Sequence, residues 1–299
     1  MKRKHAKLYR RIFIPLAIVA LLLGVTIFLQ FIFPHQFHAF VPDYPQTDLT
    51  ALWDKPVLSD SDYEALFSQT GLNKPGIDDL REKGDVGYQW LLDIQTAFFA
   101  PRDVFCRHLG FVTREERVRG TDGKLTYGGV LTPLQNGDIL LSFSTHSYGW
   151  RHGHAGLVVD ATKGTTLEAA VWGAPSGKAD ANFWRTYSTF MVLRPKSTTP
   201  QLQKDVSDFA LKTMDNVPYH LTAGVFGDKA PDPADSLSAQ CAYLIWYAYQ
   251  NSGLDLDSDG GRVVTVNDLA NSDLLDVVQV YGLDPKAISI QPFQFTKVR

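Results

Sequence analysis

Thiols are scarce in this sequence: Cys106 and Cys241 are the two cysteines among 299 residues. That excludes a small disulfide-stapled scaffold, although one bridge between the two stays open at this level of reading. A strong charge bias is missing too. The net charge is −3, and no basic stripe follows the first eleven residues, so nothing marks a nucleic-acid partner. Internal repeats and low-complexity tracts are also absent. What is present is a hydrophobic content of 44% with 12% aromatic residues, which suits a globular core. The length fits one large domain or two small ones.

The first strong feature is an apolar run. Lys2, Arg3, Lys4, Lys7, Arg10 and Arg11 precede an uncharged stretch from Ile12 to Phe33. That stretch is close to the ~20 residues that cross a bilayer. A cleaved signal peptide has a shorter apolar core, ~7–15 residues, and a small-residue cleavage site, and no Ala-x-Ala follows here. Residues 1–34 are therefore expected as a cytoplasmic basic flank and a single-pass transmembrane anchor in the cell membrane. The basic flank stays inside, so the C-terminal part is expected to be extracytoplasmic. Residues 35–57 read as a tether.

A helical subdomain is expected over 58–130. Ser59 and Asp60 supply cap residues for a helix that Gly71 ends. Further helices are expected from Ile77 to Glu82 and from Gly87 to Phe99, where Trp90, Leu91, Ile94 and Phe98 share a face and Pro101 stops the run. This block is either a packing layer or a lid on a cleft. Strand patterns begin later, over 137–143, 154–159, 165–171 and 188–193, with 277–281 and 288–295 as closing strands. An amphipathic helix is expected over 201–214. Short consecutive strands with tight turns predict an α+β domain over 131–299, with an antiparallel sheet or small barrel.

Cys241 opens an apolar helix in which Ala242, Leu244, Ile245, Ala248 and Tyr249 recur at helical spacing. Ser236 and Ser238 are candidate N-caps, and Asn251-Ser252-Gly253 is a stop signal. A thiol at a helix N-terminus faces unpaired N–H groups and the positive dipole end, which favour the thiolate. The alternative is a packed, inert cysteine. A nucleophilic thiol needs a base, and the base needs an orienting group. His154 starts one strand and Glu168 lies on the next. Cross-strand neighbours about 4.5–5.5 Å apart let the two meet. A carboxylate on one imidazole nitrogen leaves the other for the thiol. Gly153, Ala155 and Gly156 are small enough to leave room for a substrate.

Four segments carry a family resemblance. Gly137-Asp138-Ile139-Leu140, His154-Ala155-Gly156-Leu157-Val158, Leu167-Glu168-Ala169 and then Cys241 resemble the circularly permuted NlpC-type hydrolases, the YiiX-like group of papain-fold enzymes. The cysteine follows the histidine here, as in the permuted group. The likeness spans about Thr132 to Leu275 and omits the helical block. It implies a permuted papain-like domain with a packed nucleophile helix. It implies Cys241 as nucleophile, His154 as base and Glu168 as orienting group, with the Cys241 N–H as an oxyanion donor. Tyr219 matches an aromatic lining the cleft. One departure is Cys241-Ala-Tyr-Leu-Ile, where the family commonly has Cys-Ser-Glu-Leu-Val; a second is the 144–151 insertion, which would reshape the mouth of the site.

The expected function is thus a cysteine peptidase or amidase of cell-envelope substrates, with peptidoglycan stem peptides first. Hydrolysis of acyl amides or esters in lipids, and a non-enzymatic envelope-binding module, are the alternatives. The expected partners are a cell-wall peptide or acyl substrate and the membrane, with no nucleic acid, cofactor or metal. Other clusters carry weaker signals. Trp172, Trp184 and Tyr187 either stack on substrate or pack in the core. His146, His152 and His154 are a candidate metal set, with His152 and His154 on one strand face and Glu168 or Cys241 as the further ligand. Asp255-Leu-Asp-Ser-Asp259-Gly260 matches the start of an EF-hand loop, but Val266 stands where the bidentate Glu belongs, and 262–266 reads as a strand. Cys106-Arg107-His108 looks like a helix end with a packed thiol.

Overall fold

In the computed structural model, residues 2–32, 39–110, 112–148 and 150–288 are described. Helix α1 (Lys2–Ile32) leads the chain. Large apolar side chains from Phe13 to Phe28 are exposed along it, including the consecutive Leu21, Leu22 and Leu23. Among the described residues no helix is long and apolar enough to cross a membrane, so the expected span over Ile12–Phe33 is not supported as such. Phe33 and residues 34–38 lie outside the described residues.

From Phe40 onward the segment expected as a tether is docked. Phe40 N–H donates to the Gly282 carbonyl at 2.8 Å, Tyr44 donates to the Ser68 carbonyl at 2.5 Å, and Leu49 is buried in a helical core. A single turn, α2 (Thr50–Trp53), follows. Helices α3 (Asp60–Thr70), α4 (Lys74–Arg81) and α5 (Gly84–Phe99) agree with the sequence reading within a few residues. The caps explain why. Ser59 and Asp62 form a reciprocal capping box, and Gly71 ends α3 at φ 71°, a left-handed conformation that glycine adopts without a Cβ penalty.

The block is not wholly helical. Strands β1 (Asp103–His108) and β2 (Thr113–Arg119) form a hairpin, joined by β4 (Thr145–Ser147) and β5 (Trp150–Arg151) in a small sheet ordered β1-β2-β4-β5; β3 (Ile139–Ser142) belongs to the large sheet. Cys106 therefore sits on a strand, not at a helix end. The expected 144–151 loop is mostly strand as well, because Arg151 reaches in to Glu116 at 2.6 Å.

The large sheet adds β6 (His154–Asp160), β7 (Thr165–Glu168), β8 (Gly177–Asp180), β9 (Phe190–Pro195) and β10 (Leu275–Tyr281), in the antiparallel order β10-β9-β3-β6-β7-β8. Both sheets are open among the described residues, so the barrel alternative is corrected to two antiparallel sheets. Helix α6 (Pro200–Phe209), its continuing π turn over Ala210–Met214, and α7 (Cys241–Gln250) cover one face. Ile139, Leu141, Ala155, Leu157 and Met191 pack there against Val206, Leu244, Ile245 and Ala248. On the other face, Leu140, Val158, Phe190 and Val192 pack on Trp184 and Tyr187. That alternation along β3, β6 and β9 is the period-two pattern of a sheet buried on both sides.

The helical block rests along β10. Leu72 bridges Gln279, Val280 N–H donates to the Gly71 carbonyl at 2.7 Å, and Asn73 N–H donates to the Val278 carbonyl at 3.0 Å. Arg194 on β9 ties the layers by pairing with buried Asp138 at 2.7 Å and with Asp79 of α4 at 2.6 Å. Of the two roles considered for this block, the packing layer is the one seen. Residues 262–266 are not a strand: Thr265 caps α8 (Val266–Ala270) with Asp268 in a second capping box. A last turn, α9 (Pro285–Ile288), stands where a closing strand was expected to begin; the rest of that strand, 289–295, lies outside the described residues.

Candidate active site

Cys241 is the first residue of α7, but its cap is neither Ser236 nor Ser238. Gln240 is the N-cap. Its Oε1 accepts from the Ala242 N–H at 2.8 Å and lies 3.5 Å from Cys241 Sγ, while its Nε2 donates to the Val264 carbonyl at 2.5 Å. A glutamine so fixed holds the first turn of α7 and the sulfur beside it. The eight residues from Ala242 to Tyr249 are all buried, which anchors the helix on the sheet.

His154 begins β6, opposite Ser142 of β3. Pairing of Leu157 with Leu167 puts Glu168 beside Gly156, so the carboxylate reaches His154 on the diagonal rather than from directly across. The bond is short: His154 Nε2 to Glu168 Oε2 is 2.7 Å. The thiol of Cys241 lies close enough to the ring to act on its protonation. With Nε2 committed to the carboxylate, Nδ1 is the nitrogen left for sulfur. Cys241, His154 and Glu168 thus come together from α7, β6 and β7.

Two further side chains complete the cluster. Trp184, in the 3₁₀ segment Ala181–Thr186, stacks on His154 with ring centroids 5.3 Å apart and planes 10° from parallel. Its Nε1 donates to Glu168 Oε1 at 2.8 Å, and the Thr166 hydroxyl donates to the same oxygen at 2.6 Å. Gly156 makes this possible. A Cβ there would lie 2.8 Å from the Trp184 ring and 3.1 Å from Glu168 Cγ. The space expected there for substrate is filled by these two side chains, and Ala155 is packed in the core.

The electrostatics follow from burial and pairing. Burial alone would lower the His154 pKa; the nearby Cys241 and the hydrogen-bonded Glu168 outweigh it and raise the value from 6.5 to about 10. Burial would raise the Glu168 pKa, but His154, Thr166 and Trp184 hold it below the ordinary value. The site therefore favours a positive imidazole between an anionic carboxylate and the sulfur. Tyr219 lies against the segment that precedes Cys241, bridging Ala239. Burial and then the nearby Cys241 push its phenol up to about 12. Trp172 is in the turn after β7 and is exposed.

The competing clusters separate. Both thiols are free. His152 bonds Ser147 Oγ at 3.1 Å, His154 bonds Glu168, and His146 lies on the small sheet 3.6 Å from Cys106 Sγ, so the three histidines do not form one ligand set. Burial and then Glu116 push the Cys106 thiol up to about 11, the opposite of an activated nucleophile. Asp257, Asp259 and Asp268 bring donor atoms within 4.8 Å of one another, the one such group among the described residues. Lys229 already pairs with Asp257, and the aspartates accept local backbone N–H groups, as in a turn.

Trp184, Thr166 and Gln240 were not assigned site roles from the sequence. Thr166 had a signal, since it is two residues before Glu168 and so on the same face of the strand. Trp184 had none.

No family model matches the sequence, and no curated protein matches it. Among solved structures, a crystal structure of the metalloprotein yiiX from Escherichia coli O157:H7 (DUF1105) is similar at 16% identity and a TM-score of 0.38, over 49% of this chain and 97% of that one.

Proposed function

We propose that this chain is a cysteine hydrolase that cleaves amide bonds in cell-envelope peptides by acyl transfer. Its catalytic domain would be a circularly permuted member of the NlpC-type papain fold, held outside the cytoplasm by α1 lodged in a bilayer. The observation that carries the reading is the buried pair of His154 and Glu168 beside the Cys241 thiol, with Trp184 closing one side of it. The exposed apolar side chains of α1 support the anchor, since a helix apolar on all sides needs a protein core or lipid around it.

In the proposed reaction the Cys241 thiolate attacks the carbonyl carbon, and the N–H groups at the start of α7 receive the oxyanion. The C–N bond breaks as imidazolium His154 gives its proton to the departing amine, leaving a thioester. Water then attacks this ester while His154 takes a proton, the acid departs and the thiolate returns. Glu168 keeps the ring charged and aimed throughout. The test is to incubate the full chain with purified peptidoglycan fragments and count newly freed amines by mass spectrometry. Release by wild type and none by Cys241→Ala is the expected result. No release, with no acyl adduct on Cys241, leaves an envelope-binding module.

A further inference from the structure

Three loops that flank the catalytic residues carry exposed apolar side chains. Trp150, four residues before His154, is 60% exposed. Val171 and Trp172, just after Glu168, are 58% and 82% exposed. Leu221 and Phe226, in the loop between Tyr219 and Cys241, are 60% and 86% exposed. The loop after Glu168 is tied to the 217–226 segment, and that segment to the stretch before Cys241. Ser176 N–H donates to the Val217 carbonyl at 2.8 Å, Pro175 bridges Pro218, and His220 N–H donates to the Ala239 carbonyl at 2.9 Å. Trp150 packs on His152, with ring centroids 5.5 Å apart. Single exposed apolar residues need no explanation, but several large ones on loops that flank one site mark a binding surface.

We infer that this rim is a membrane-docking surface, which seats the mouth of the site in the headgroup region of a bilayer and gives Cys241 a substrate that is itself a membrane-held amphiphile. The partner follows from the rest of the chain. Helix α1 exposes eleven large apolar side chains between Phe13 and Phe28, for which lipid is the fitting solvent. The seven peptide links from Ile32 to Ala39 reach at most about 25 Å. The chain then enters the body at the β10 edge, through Phe40 and Gly282. From β10 to β6 is three strand spacings, about 14 Å. The rim thus lies within tether range of whatever surface holds α1. Aromatic side chains with an apolar body and a polar edge settle at that depth. The carbonyl presented to the sulfur would belong to a peptide or acyl group carried on a lipid.

The inference rests on the proposed acyl-transfer site for its meaning, but its test does not need turnover. The full chain is inserted in phosphatidylcholine vesicles, with and without a phosphatidylcholine brominated in its acyl chains. The share of tryptophan emission contributed by Trp172 is read as the difference between wild type and Trp172→Phe. Bromine should quench that share by about twofold or more, as for a ring ~5–10 Å into the boundary layer. Phe226→Trp, made in the Trp172→Phe chain, should restore a quenched component. If either reporter emits equally in both vesicles, the rim does not dock on lipid. A blue shift that depends on protein density instead would assign the rim to a second copy and equally overturn the inference. Iodoacetamide labelling of Cys241 on the same vesicles separates the two claims. A reactive thiol with unquenched reporters removes the docking surface alone, and quenched reporters with an inert thiol remove the hydrolase alone.

Discussion

Trp184 lies flat on His154 and, through its indole N–H, also holds the carboxylate that His154 binds, so one side chain fixes both members of the pair. The imidazole is pinned by stacking on its face and by Glu168 on its edge. Rotation that would turn Nδ1 from the sulfur has to break both contacts at once.

The two thiols should differ sharply in reactivity. Cys106 is held protonated by burial and by Glu116, with a pKa of about 11. Cys241 has an imidazolium partner at a helix start. At pH 7.5 iodoacetamide should modify Cys241 and leave Cys106 untouched, read by peptide mass mapping. Equal labelling of both would mean that the helix start and His154 do not activate the sulfur.

Replacing His154 by Ala should lower turnover by about 10²–10⁴-fold, the usual contribution of a positioned acid–base group. Alkylation of Cys241 should slow with it. Turnover at the wild-type rate would remove the imidazole from the mechanism.

Glu168→Gln should change the pH dependence in a stated direction. The folded pKa of His154 is raised from 6.5 to about 10. Its stabilising contribution is therefore complete below 6.5 and is lost as pH rises through about 10. The variant keeps Cys241 beside the ring but loses the charged partner, so its alkaline activity limb should move towards the ordinary imidazole range. Thermal melts should show a wild-type advantage at pH 7 that shrinks by pH 10. An alkaline limb unchanged by the substitution would show that Glu168 does not hold the proton on His154.

Gly156→Ala tests the packing behind the pair. The new methyl would meet Trp184 at 2.8 Å and Glu168 at 3.1 Å. Overpacking of this kind costs about 1–3 kcal/mol, and Cys241 alkylation should slow as Glu168 and Trp184 are displaced. Urea unfolding beside labelling kinetics checks both.

Arg194→Met should be among the more damaging substitutions away from the site. It leaves Asp138 fully buried without its partner and detaches Asp79 of α4. Breaking a buried pair in this way costs about 3–5 kcal/mol. A urea midpoint within error of wild type would show that the helical block holds on through the β10 contacts alone.

Much of the fold was legible where local chemistry and burial agree. Ser59, Gly71 and Pro101 mark helix ends because caps act through nearest neighbours. Strands β3, β6 and β9 are short apolar runs buried on both faces. The small sheet was hidden because β2 reads Thr-Arg-Glu-Glu-Arg-Val-Arg, a solvated pattern by composition. Its charges are instead buried by pairing: Arg117 with Glu115 at 2.7 Å, and Glu116 with Arg151 at 2.6 Å. Arg151, the partner of Glu116, lies 35 residues away and does not show in a local window. The approach of His154 to Glu168 was legible from strand order, while the place of Cys241 beside them came only from the family resemblance. The stack of Trp184 on His154 was not, since it depends on where a 3₁₀ turn lands after β8.

The seating of Leu72 on β10 has a consequence for crowding. Gly71, Leu72 and Asn73 occupy the outward hydrogen-bonding positions of Val278, Gln279 and Val280, so no strand of a neighbouring molecule can add there. At the opposite margin stands β8, four residues long, with Lys178 and Asp180 turned outward. Both margins of the large sheet thus resist edge-to-edge polymerisation.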